Sequence, residues 1–417
     1  MSDAPVDATP PVHLDIACPF CGLLCDDLSL SPAATGLSIT RNGCARARQR
    51  FALSPHAATT SLIDGQPAPI DTAIEKAAAL LRHARQPLFL SGGADLASMR
   101  ALLYLAEQCN AIVDHSNEGV MRNLRVVQDH GWITTTLTEV RNRADFILCV
   151  GTEISGQYPR FFERVAQAGG HFDDTRPAPK LLFLGAATAA DLNARQIQVP
   201  PENLLESIAI LRGLAAGKQP RQTPAELVEL NTLIRQARYA VVAWSAAALP
   251  PDSAELIIQG LCDWIKTLNH QTRVAGLPLG GSNGDLTALQ TTLWQTGLPL
   301  RTRLGRRGPE HDSERYAARR LLDEGRADAM LFVSEFDASA QPPLTTIPTI
   351  VLGATGLTAP PCKVFIPVGT PGIHRTGHLF RTDSVVAVPL QAVTPNRWSS
   401  TPDVLQRMGQ QLTVAHP

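Results

Sequence analysis

The sequence lacks a dominant charge and a long hydrophobic run. Its 417 residues contain 37 Lys and Arg against 38 Asp and Glu, so no strong field attracts nucleic acid or an anionic membrane surface. No uninterrupted apolar stretch reaches the roughly 18 residues that a membrane-spanning helix needs. We therefore expect no nucleic-acid partner and no membrane span.

Signals for secretion and for two self-contained active sites are also missing. Residues 1–12 are rich in Pro, Asp and Ala and have neither the basic start nor the apolar core of a signal peptide, which predicts a cytoplasmic protein. Neither an HExxH zinc-protease sequence nor a GxSxG nucleophile elbow occurs. The sequence therefore gives no support for a zinc protease or an α/β-hydrolase.

Four of the eight cysteines are clustered near the N-terminus. Cys18, Cys21, Cys25 and Cys44 are spaced C-x2-C-x3-C-x18-C. Thiolates are soft ligands, and the first three can wrap one face of a cuboidal cluster while the fourth returns after a short hairpin. The spacing predicts a 4Fe–4S cluster with these four metal ligands. A structural zinc site and a group of buried thiols without metal remain alternatives, because ligand type alone does not decide the metal.

Short apolar runs alternate with amphipathic segments of helical period, which is typical of an α/β protein with a mostly parallel sheet covered on both faces. The predicted strands are 87–90, 146–150, 181–184, 239–244, 330–333, 349–352 and 364–367. The predicted helices are 97–108, 159–167, 201–216 and 252–269. A Pro- and Gln-rich break at 217–223 is interpreted as a linker between lobes.

Several predicted strands end in glycine or small polar residues, at 91–95, 151–153, 185–188 and 353–355. Ligands of open α/β sheets lie beyond the carboxyl ends of strands, where backbone amides can approach a phosphate. These turns are candidate phosphate-binding loops. None is a GxGxxG sequence, and glycine at a strand-to-helix turn also has a purely geometric explanation.

Five segments occur in an order that is typical of one family. They read CPFCGLLCDD (18–27), RNGCARARQRF (41–51), QYPR (157–160), LWQTGLP (293–299) and GHLFRTD (377–383). Together they resemble the B subunit of formylmethanofuran dehydrogenases, a branch of the molybdopterin oxidoreductases. The resemblance implies several Rossmann-like parallel-sheet lobes and a small cysteine-rich module. We expect the module at 1–54, a first lobe at 55–140 and 320–395, a second lobe at 141–319 and a C-terminal tail at 396–417.

The position that carries the metal in this family has no ligand here. Redox-active members present a cysteine or selenocysteine to the metal, but segment 113–123 contains no cysteine and the position falls on Gly119 or Val120. Neither side chain offers a lone pair to tungsten or molybdenum. The family's Arg-Gly-His triplet is replaced by a run that begins at Leu279. These degenerate positions imply that the chain has no catalytic residues and no tungsten or molybdenum pterin.

The resemblance is greatest to the B subunit of the bacterial formyltransferase/hydrolase complex, which works in tetrahydromethanopterin- and methylofuran-linked one-carbon metabolism from formaldehyde to formate. It implies three partners: an amidohydrolase-like A subunit that hydrolyses formyl-methylofuran, and C and D subunits that transfer the formyl group. A structural scaffold in that complex is the expected function. A redox-active dehydrogenase subunit with a 4Fe–4S cluster and a metal pterin is the alternative, favoured by the four retained cysteines. A stand-alone regulatory protein with a redox-sensing cluster is a third possibility.

Three further groups of polar residues are weaker candidates. His374 and His378 have a spacing that binds metals on a helix, but Gly377 between them predicts a turn. The acidic segment 335–337 follows a predicted strand and is interpreted as its capped end. The arginines of 41–50 and 301–307 are interpreted as local anchors for phosphates, carboxylates or a neighbouring subunit.

Overall fold

The computed structural model describes residues 12–33, 36–52, 60–185, 192 and 194–413. The chain forms two compact units. The first comprises Met1–Ser116, Ser282–Leu379 and Ala387–Pro417, and the second comprises Asn117–Gly281 and Phe380–Val386. The finer division into a module, two lobes and a tail stays a prediction. Residues 186–188 of one predicted phosphate-binding loop lie outside the described residues.

Both units contain β-strands. In chain order they are β1 (His13–Ile16), β2 (Leu28–Ala33), β3 (Gly36–Arg41), β4 (Ser61–Ile63), β5 (Gln66–Ala68), β6 (Pro87–Gly93), β7 (Ile112–His115), β8 (Phe146–Val150), β9 (Lys180–Leu184), β10 (Ala194–Ile197), β11 (Ala240–Ser245), β12 (Val274–Leu279), β13 (Thr302–Gly305), β14 (Gly308–His311), β15 (Ala329–Ser334), β16 (Thr349–Ala354), β17 (Val364–Val368), β18 (Gly377–Phe380) and β19 (Ala387–Leu390).

Helices pack on the sheets. In chain order they are α1 (Ala45–Ala52), α2 (Ile70–His83), α3 (Leu96–Cys109), α4 (Gly119–His130), α5 (Leu137–Arg143), α6 (Ile154–Gln157), α7 (Phe161–Val165), α8 (Leu204–Ala215), α9 (Ala225–Gln236), α10 (Ala254–Leu268), α11 (Asp285–Thr296), α12 (Ala318–Asp323) and α13 (Thr401–Thr413). None of the helices in the described part of the chain has the length and hydrophobicity of a membrane span.

The first unit is built on a nine-stranded sheet in the order β14-β13-β7-β6-β15-β16-β17-β4-β5. Its five central strands, from β7 to β17, run parallel and are buried along their whole length, as in sheets covered on both faces. Antiparallel strands extend both edges. The connection reverses direction between β6 and β15, so this point is the topological switch where open sheets bind ligands.

The first unit also contains a small antiparallel sheet, in which β2 pairs with both β1 and β3. The β1–β2 connection holds the first three cysteines of the N-terminal group, and the fourth lies between β3 and α1. The β2–β3 pair is the hairpin that the sequence predicts between the third and fourth cysteine. Helix α13 belongs to the same unit and packs on α2 and α3.

The second unit is a five-stranded parallel sheet in the order β10-β9-β8-β11-β12. In chain order this is the doubly wound order 3-2-1-4-5, with its switch point between β8 and β11. The continuous apolar sequences of β8 and β11 explain the burial, since every residue of both strands is inaccessible to solvent. Trp244 of β11 and Trp264 of α10 are the largest side chains of the core.

The predicted α/β fold is confirmed. All seven predicted strands overlap strands of the two large sheets, and the four predicted helices overlap α3, α7, α8 and α10. The interpretation of 217–223 as a linker between lobes was wrong, because this segment lies inside the second unit and joins α8 to α9. Its Pro and Gln residues instead end one surface helix and precede the next.

Candidate functional site

The four N-terminal cysteines lie on two short loops of the first unit. Backbone hydrogen bonds close the first loop, because the amide of Cys18 donates to the carbonyl of Cys25 at 2.8 Å and the amide of Leu24 donates to the carbonyl of Cys21 at 3.1 Å. On the second loop the amide of Ala47 donates to the sulfur of Cys44 at 3.4 Å. Amide donors of this kind stabilise a thiolate over a thiol.

The thiols also interact electrostatically with one another. Burial raises the pKa of Cys18, and the nearby thiols of Cys21, Cys25 and Cys44 raise it further. Burial likewise raises the pKa of Cys21, against the lowering effect of backbone amides and of the Arg46 guanidinium. Four thiolates so close together repel one another unless a cation lies between them. None of the eight cysteines, all of which lie in the described part of the chain, forms a disulfide.

The residues fit a metal cluster in chemistry but do not form a finished ligand set. Four soft sulfur donors match the ligands of iron–sulfur clusters. Within the described residues, however, no three Cys, His, Asp or Glu side chains converge in the arrangement of a metal site. Binding a cluster therefore requires the two loops to draw their sulfurs together. The ligand role of Cys18, Cys21, Cys25 and Cys44 stays a prediction.

An arginine anchors the cysteine loops to the nine-stranded sheet. Arg50 of α1 donates to the carbonyl of Phe336 at 2.6 Å and to a carboxylate oxygen of Asp337 at 2.8 Å. Its guanidinium also lies over the ring of Phe20, 5.6 Å from the centroid. Phe20 in turn packs edge-on against Phe51. The Arg50 contacts place the loops next to the end of β15.

Gly119 and Val120 form the first turn of α4 in the second unit, and both are buried. A Cβ atom at Gly119 would lie 2.9 Å from both the backbone nitrogen and the Cβ of Ala247. Real Cβ atoms do not approach backbone so closely, and backbone cannot rotate away as a side chain can. Position 119 therefore has no room for a cysteine, and position 120 presents only an aliphatic side chain.

The residues after Leu279 form hydrogen bonds with two other segments that carry the family resemblance, 157–160 and 377–383. Thr382 accepts a hydrogen bond from the amide of Gly280 at 2.9 Å, and the Tyr158 hydroxyl donates to the carbonyl of Gly280 at 3.3 Å. Asp383 accepts from the amide of Leu137 at 3.0 Å. Segments that are far apart in sequence thus meet at the end of β12, and Leu279 itself is a buried apolar residue.

Two carboxyl groups occupy the switch point of the nine-stranded sheet. Asp95 follows β6, Glu335 follows β15, and both are completely buried. Asp95 caps α3 by accepting from the amide of Ser98 at 2.9 Å. Glu335 accepts from the amide of Asp95 at 2.9 Å and from the Ser98 hydroxyl at 2.8 Å. The Arg375 guanidinium donates to both, at 2.6 Å to Glu335 and 3.0 Å to Asp95.

The network contains two carboxyl groups and one guanidinium group. Burial raises the pKa of Glu335, Arg375 opposes that rise, and the Asp95 carboxylate adds to it. Although burial opposes it, the two carboxylates hold the pKa of Arg375 above its usual value. A nucleotide phosphate at a switch point uses amides at a helix N-terminus. Here the backbone amides of Asp95 and Ser98 already donate to carboxyl groups. A phosphate would also lie next to two buried acidic side chains. These residues do not fit a phosphate.

The switch point of the second unit is also bridged by the chain's own side chains. The Thr152 hydroxyl, after β8, accepts from the amide of Ser245 at the end of β11 at 2.9 Å and donates to the carbonyl of Val150 at 3.0 Å. The Glu153 carboxylate caps the next turn by accepting from the amide of Gly156 at 2.6 Å. The predicted loop at 151–153 is thus occupied by internal hydrogen bonds.

The two histidines of 374–378 do not form a helical pair. His374 is buried, its Nδ1 accepts from the amide of Thr370 at 3.0 Å, and its ring packs on Trp398. His378 lies on β18 and is exposed. A turn at 372–374 separates the two histidines, whereas Gly377, which predicts a turn, is the first residue of β18. Sequence analysis missed the role of Arg375, which lies between the two histidines. The acidic residues that follow β6 and β15 are the signal that could have indicated a buried cation.

The chain is similar to known proteins along most of its length. The chain is 30% identical to the B subunit of the formyltransferase/hydrolase complex Fhc of Methylorubrum extorquens, over 80% of this chain and 91% of the relative. It is 26% identical to the B subunit of the tungsten-containing formylmethanofuran dehydrogenase 2 of Methanocaldococcus jannaschii, over 92% of this chain and 95% of the relative. No protein-family model matches the chain.

A solved structure is also similar. It is the crystal structure of the formyltransferase/hydrolase complex from Methylorubrum extorquens in complex with methylofuran. The match has a TM-score of 0.77 and 27% identity, and it covers 85% of this chain and 99% of the matched chain. The α/β architecture is thus shared over nearly the whole of that chain.

Proposed function

The chain belongs to the family of B subunits of formyltransferase/hydrolase complexes and formylmethanofuran dehydrogenases, and we propose that it is the B subunit of a formyltransferase/hydrolase complex in methylofuran-linked one-carbon metabolism. Its partners are the A, C and D subunits. The A subunit releases formate from formyl-methylofuran, and the C and D subunits transfer the formyl group. The present chain holds these catalytic partners and performs no redox step itself. We place the complex in the cytoplasm.

The close approach of Gly119 to the Ala247 backbone carries this proposal. Resemblance to the dehydrogenases places the metal ligand at Gly119 or Val120. The first position has no space for a side chain, and the second has no donor atom. A molybdenum or tungsten pterin needs a ligand and a polar environment from the protein. The absence of a ligand at this turn favours a chain that has kept the fold and lost the reaction.

The occupied switch points support the same conclusion. The Asp95, Glu335 and Arg375 network in the first unit and the Thr152–Ser245 bridge in the second take up the amides that a pterin dinucleotide would use. The ion pairs of the first unit and the hydrogen bonds of the second tie strand ends together within each unit, which suits a rigid scaffold.

A redox-active subunit is the second candidate, and the cysteine loops favour it. Electrostatic interactions link the thiol of Cys18 to those of Cys21, Cys25 and Cys44. A scaffold needs no electron-transfer cluster, so the presence of these four thiols favours a redox function. We propose that a metal bound there is iron in a 4Fe–4S cluster, which would supply one-electron transfer when present. The cluster alone does not support formate chemistry. This candidate requires a second metal in the same chain.

Co-expression of all four subunits tests the proposed function. Leaving out this chain should abolish formate release, because permanent complexes bury on the order of 2,000 Å² or more per interface and do not assemble without the connecting subunit. Val120→Ala should leave both assembly and formate release intact. Size-exclusion chromatography and a formate assay on the same fractions separate the two effects. Full formate release without this chain would contradict the proposal.

A further inference from the structure

One exposed face of the first unit carries the residue types that dominate protein–protein interfaces. Tyr104 of α3 and Trp294 of α11 are 63% and 64% exposed. Arg100 lies one turn before Tyr104 on α3, with its guanidinium carbon 6.0 Å from the centroid of the Trp294 ring. Isolated exposed hydrophobics are ordinary on a protein surface, whereas adjoining Trp, Arg and Tyr are typical of interface hot spots.

The same stripe of α3 leads to a basic groove. One further turn along the helix, Gln108 lies at the wall of a cavity of about 420 Å³ beside the β13–β14 turn. The groove is lined by Glu107, Gln108, Asn110, Arg303, Arg306 and Arg307. Arg306 and Arg307 form the exposed tip of the turn. The basic turn therefore lies beside the C-terminal end of the helix that carries Arg100 and Tyr104.

This surface has surplus positive charge. Other arginines of the first unit are neutralised, as Arg303 pairs with Glu310 and Arg320 with Glu324, both at 2.7 Å. By contrast, three arginines of this face form no ion pair in the described part of the chain, namely Arg100, Arg306 and Arg307. Against them the groove offers one carboxylate, that of Glu107. Complementary charge on a partner would neutralise the excess.

Strand addition is not the way a partner binds here. β14 is the edge strand of the nine-stranded sheet, but it is only four residues long. Pro309 in its centre has no amide hydrogen to donate, and the neighbouring Glu310 is charged. Proline and charge at a short edge prevent pairing with another strand. A partner must therefore bind through side chains.

We propose that this docking face, formed by Arg100, Tyr104, Trp294, Arg306 and Arg307, binds an acidic surface of a partner protein, with Trp294 as the apolar anchor. The inference rests on the proposed function, since it takes the partner to be one of the A, C and D subunits. Trp294 is held in place by Arg100 before binding, which limits the side-chain entropy lost in the complex. Arg306 and Arg307 steer the acidic surface towards the groove.

Binding of the purified chain to the purified A, C and D subunits tests the docking face. Trp294→Ala should raise Kd by about 30-fold, the size expected for a hot-spot residue. Arg306→Glu combined with Arg307→Glu should raise Kd by about tenfold or more at low salt and remove the salt dependence of the association rate. The matched controls are Phe172→Ala and the double change Arg235→Glu with Arg238→Glu, which alter exposed residues of the second unit. Thermal unfolding verifies that every variant is folded.

Each outcome supports or overturns a separate claim. An unchanged Kd for both Trp294→Ala and Tyr104→Ala overturns the docking face. Unchanged affinity and salt dependence for the arginine pair overturn the acidic partner. A dimer of the chain alone that Trp294→Ala disrupts assigns the face to self-association and also overturns the inference. If the unaltered chain binds none of the A, C and D subunits, the proposed function fails, whatever the variants do.

Discussion

The α-carbon of Gly119 lies so close to Ala247 that an added Cβ would be 2.9 Å from the Ala247 backbone nitrogen. The first turn of α4 and the loop after β11 are thus in direct backbone contact. We expect Gly119→Ala to destabilise the chain by about 1–3 kcal/mol, as overpacking does. Urea denaturation of the isolated chain measures this value. The matched control is Val120→Ala, which removes atoms and should leave the backbone contact intact. Equal stability of Gly119→Ala and the unaltered chain would contradict this geometry.

The buried network of Asp95, Glu335 and Arg375 should be a major source of stability. Arg375→Met leaves two buried carboxylates without their cation, and breaking a buried pair costs about 3–5 kcal/mol. Arg320→Met breaks an exposed pair that solvent screens and should cost far less. Adding Glu335→Gln to Arg375→Met should recover part of the loss. A loss below about 1 kcal/mol in Arg375→Met would show that the network is not closed as described.

His374 should make stability depend on pH. Burial lowers its pKa from 6.5 to about 4, and protonation at Nδ1 would break the hydrogen bond from Thr370. The folded pKa is below the unfolded value, so the stabilisation is complete above pH 6.5 and is lost as pH falls towards 4. The maximum effect is about 3 kcal/mol. We expect His374→Asn, which does not titrate, to flatten the stability profile between these pH values.

The exposed His378 provides the control for this experiment. His378→Asn should leave the slope unchanged. Burial also lowers the pKa of His115, to about 3, so some acid sensitivity should persist in both variants. Identical profiles for His374→Asn and the unaltered chain would show that the imidazole of His374 is not held neutral.

The cysteine loops should bind iron and not zinc when they hold a metal. Anaerobically purified protein should then show a broad charge-transfer band near roughly 400 nm, and stoichiometric zinc would contradict the cluster. If no metal binds, single Cys→Ser changes at the buried Cys18, Cys21 and Cys25 should cost only about 1–2 kcal/mol each, because a buried hydroxyl replaces a thiol, and the change at the half-buried Cys44 should cost less. Cys149→Ser, in the core strand β8, is the control outside the loops.

Local patterns were sufficient to predict the strands of the fold. The sequences of β8 and β17 are continuous apolar runs, which predict strands buried on both faces of a parallel sheet, and both strands are completely buried. The order of strands could not be predicted in the same way, because it depends on contacts between distant segments. The 217–223 segment shows the limit, since Pro and Gln mark a break between helices as readily as one between units.

The candidate site was predictable where a single residue type decides the chemistry. The missing thiol at Gly119 and the four clustered cysteines can be read from the sequence, but the space around Gly119 cannot, because Ala247 is distant along the chain. Arg375 was missed for the same reason. Its partners Asp95 and Glu335 follow two different strands, and only the folded sheet brings them within hydrogen-bond distance.

The content of tungsten and molybdenum in the assembled complex tests the central claim most directly. Inductively coupled plasma mass spectrometry should find neither metal in stoichiometric amount, in a preparation that releases formate and does not reduce a dye with formate. The reason is that neither Gly119 nor Val120 offers a donor atom to a metal. One tungsten or molybdenum atom per chain, together with formate-dependent dye reduction, would contradict the scaffold function and favour the redox-active alternative.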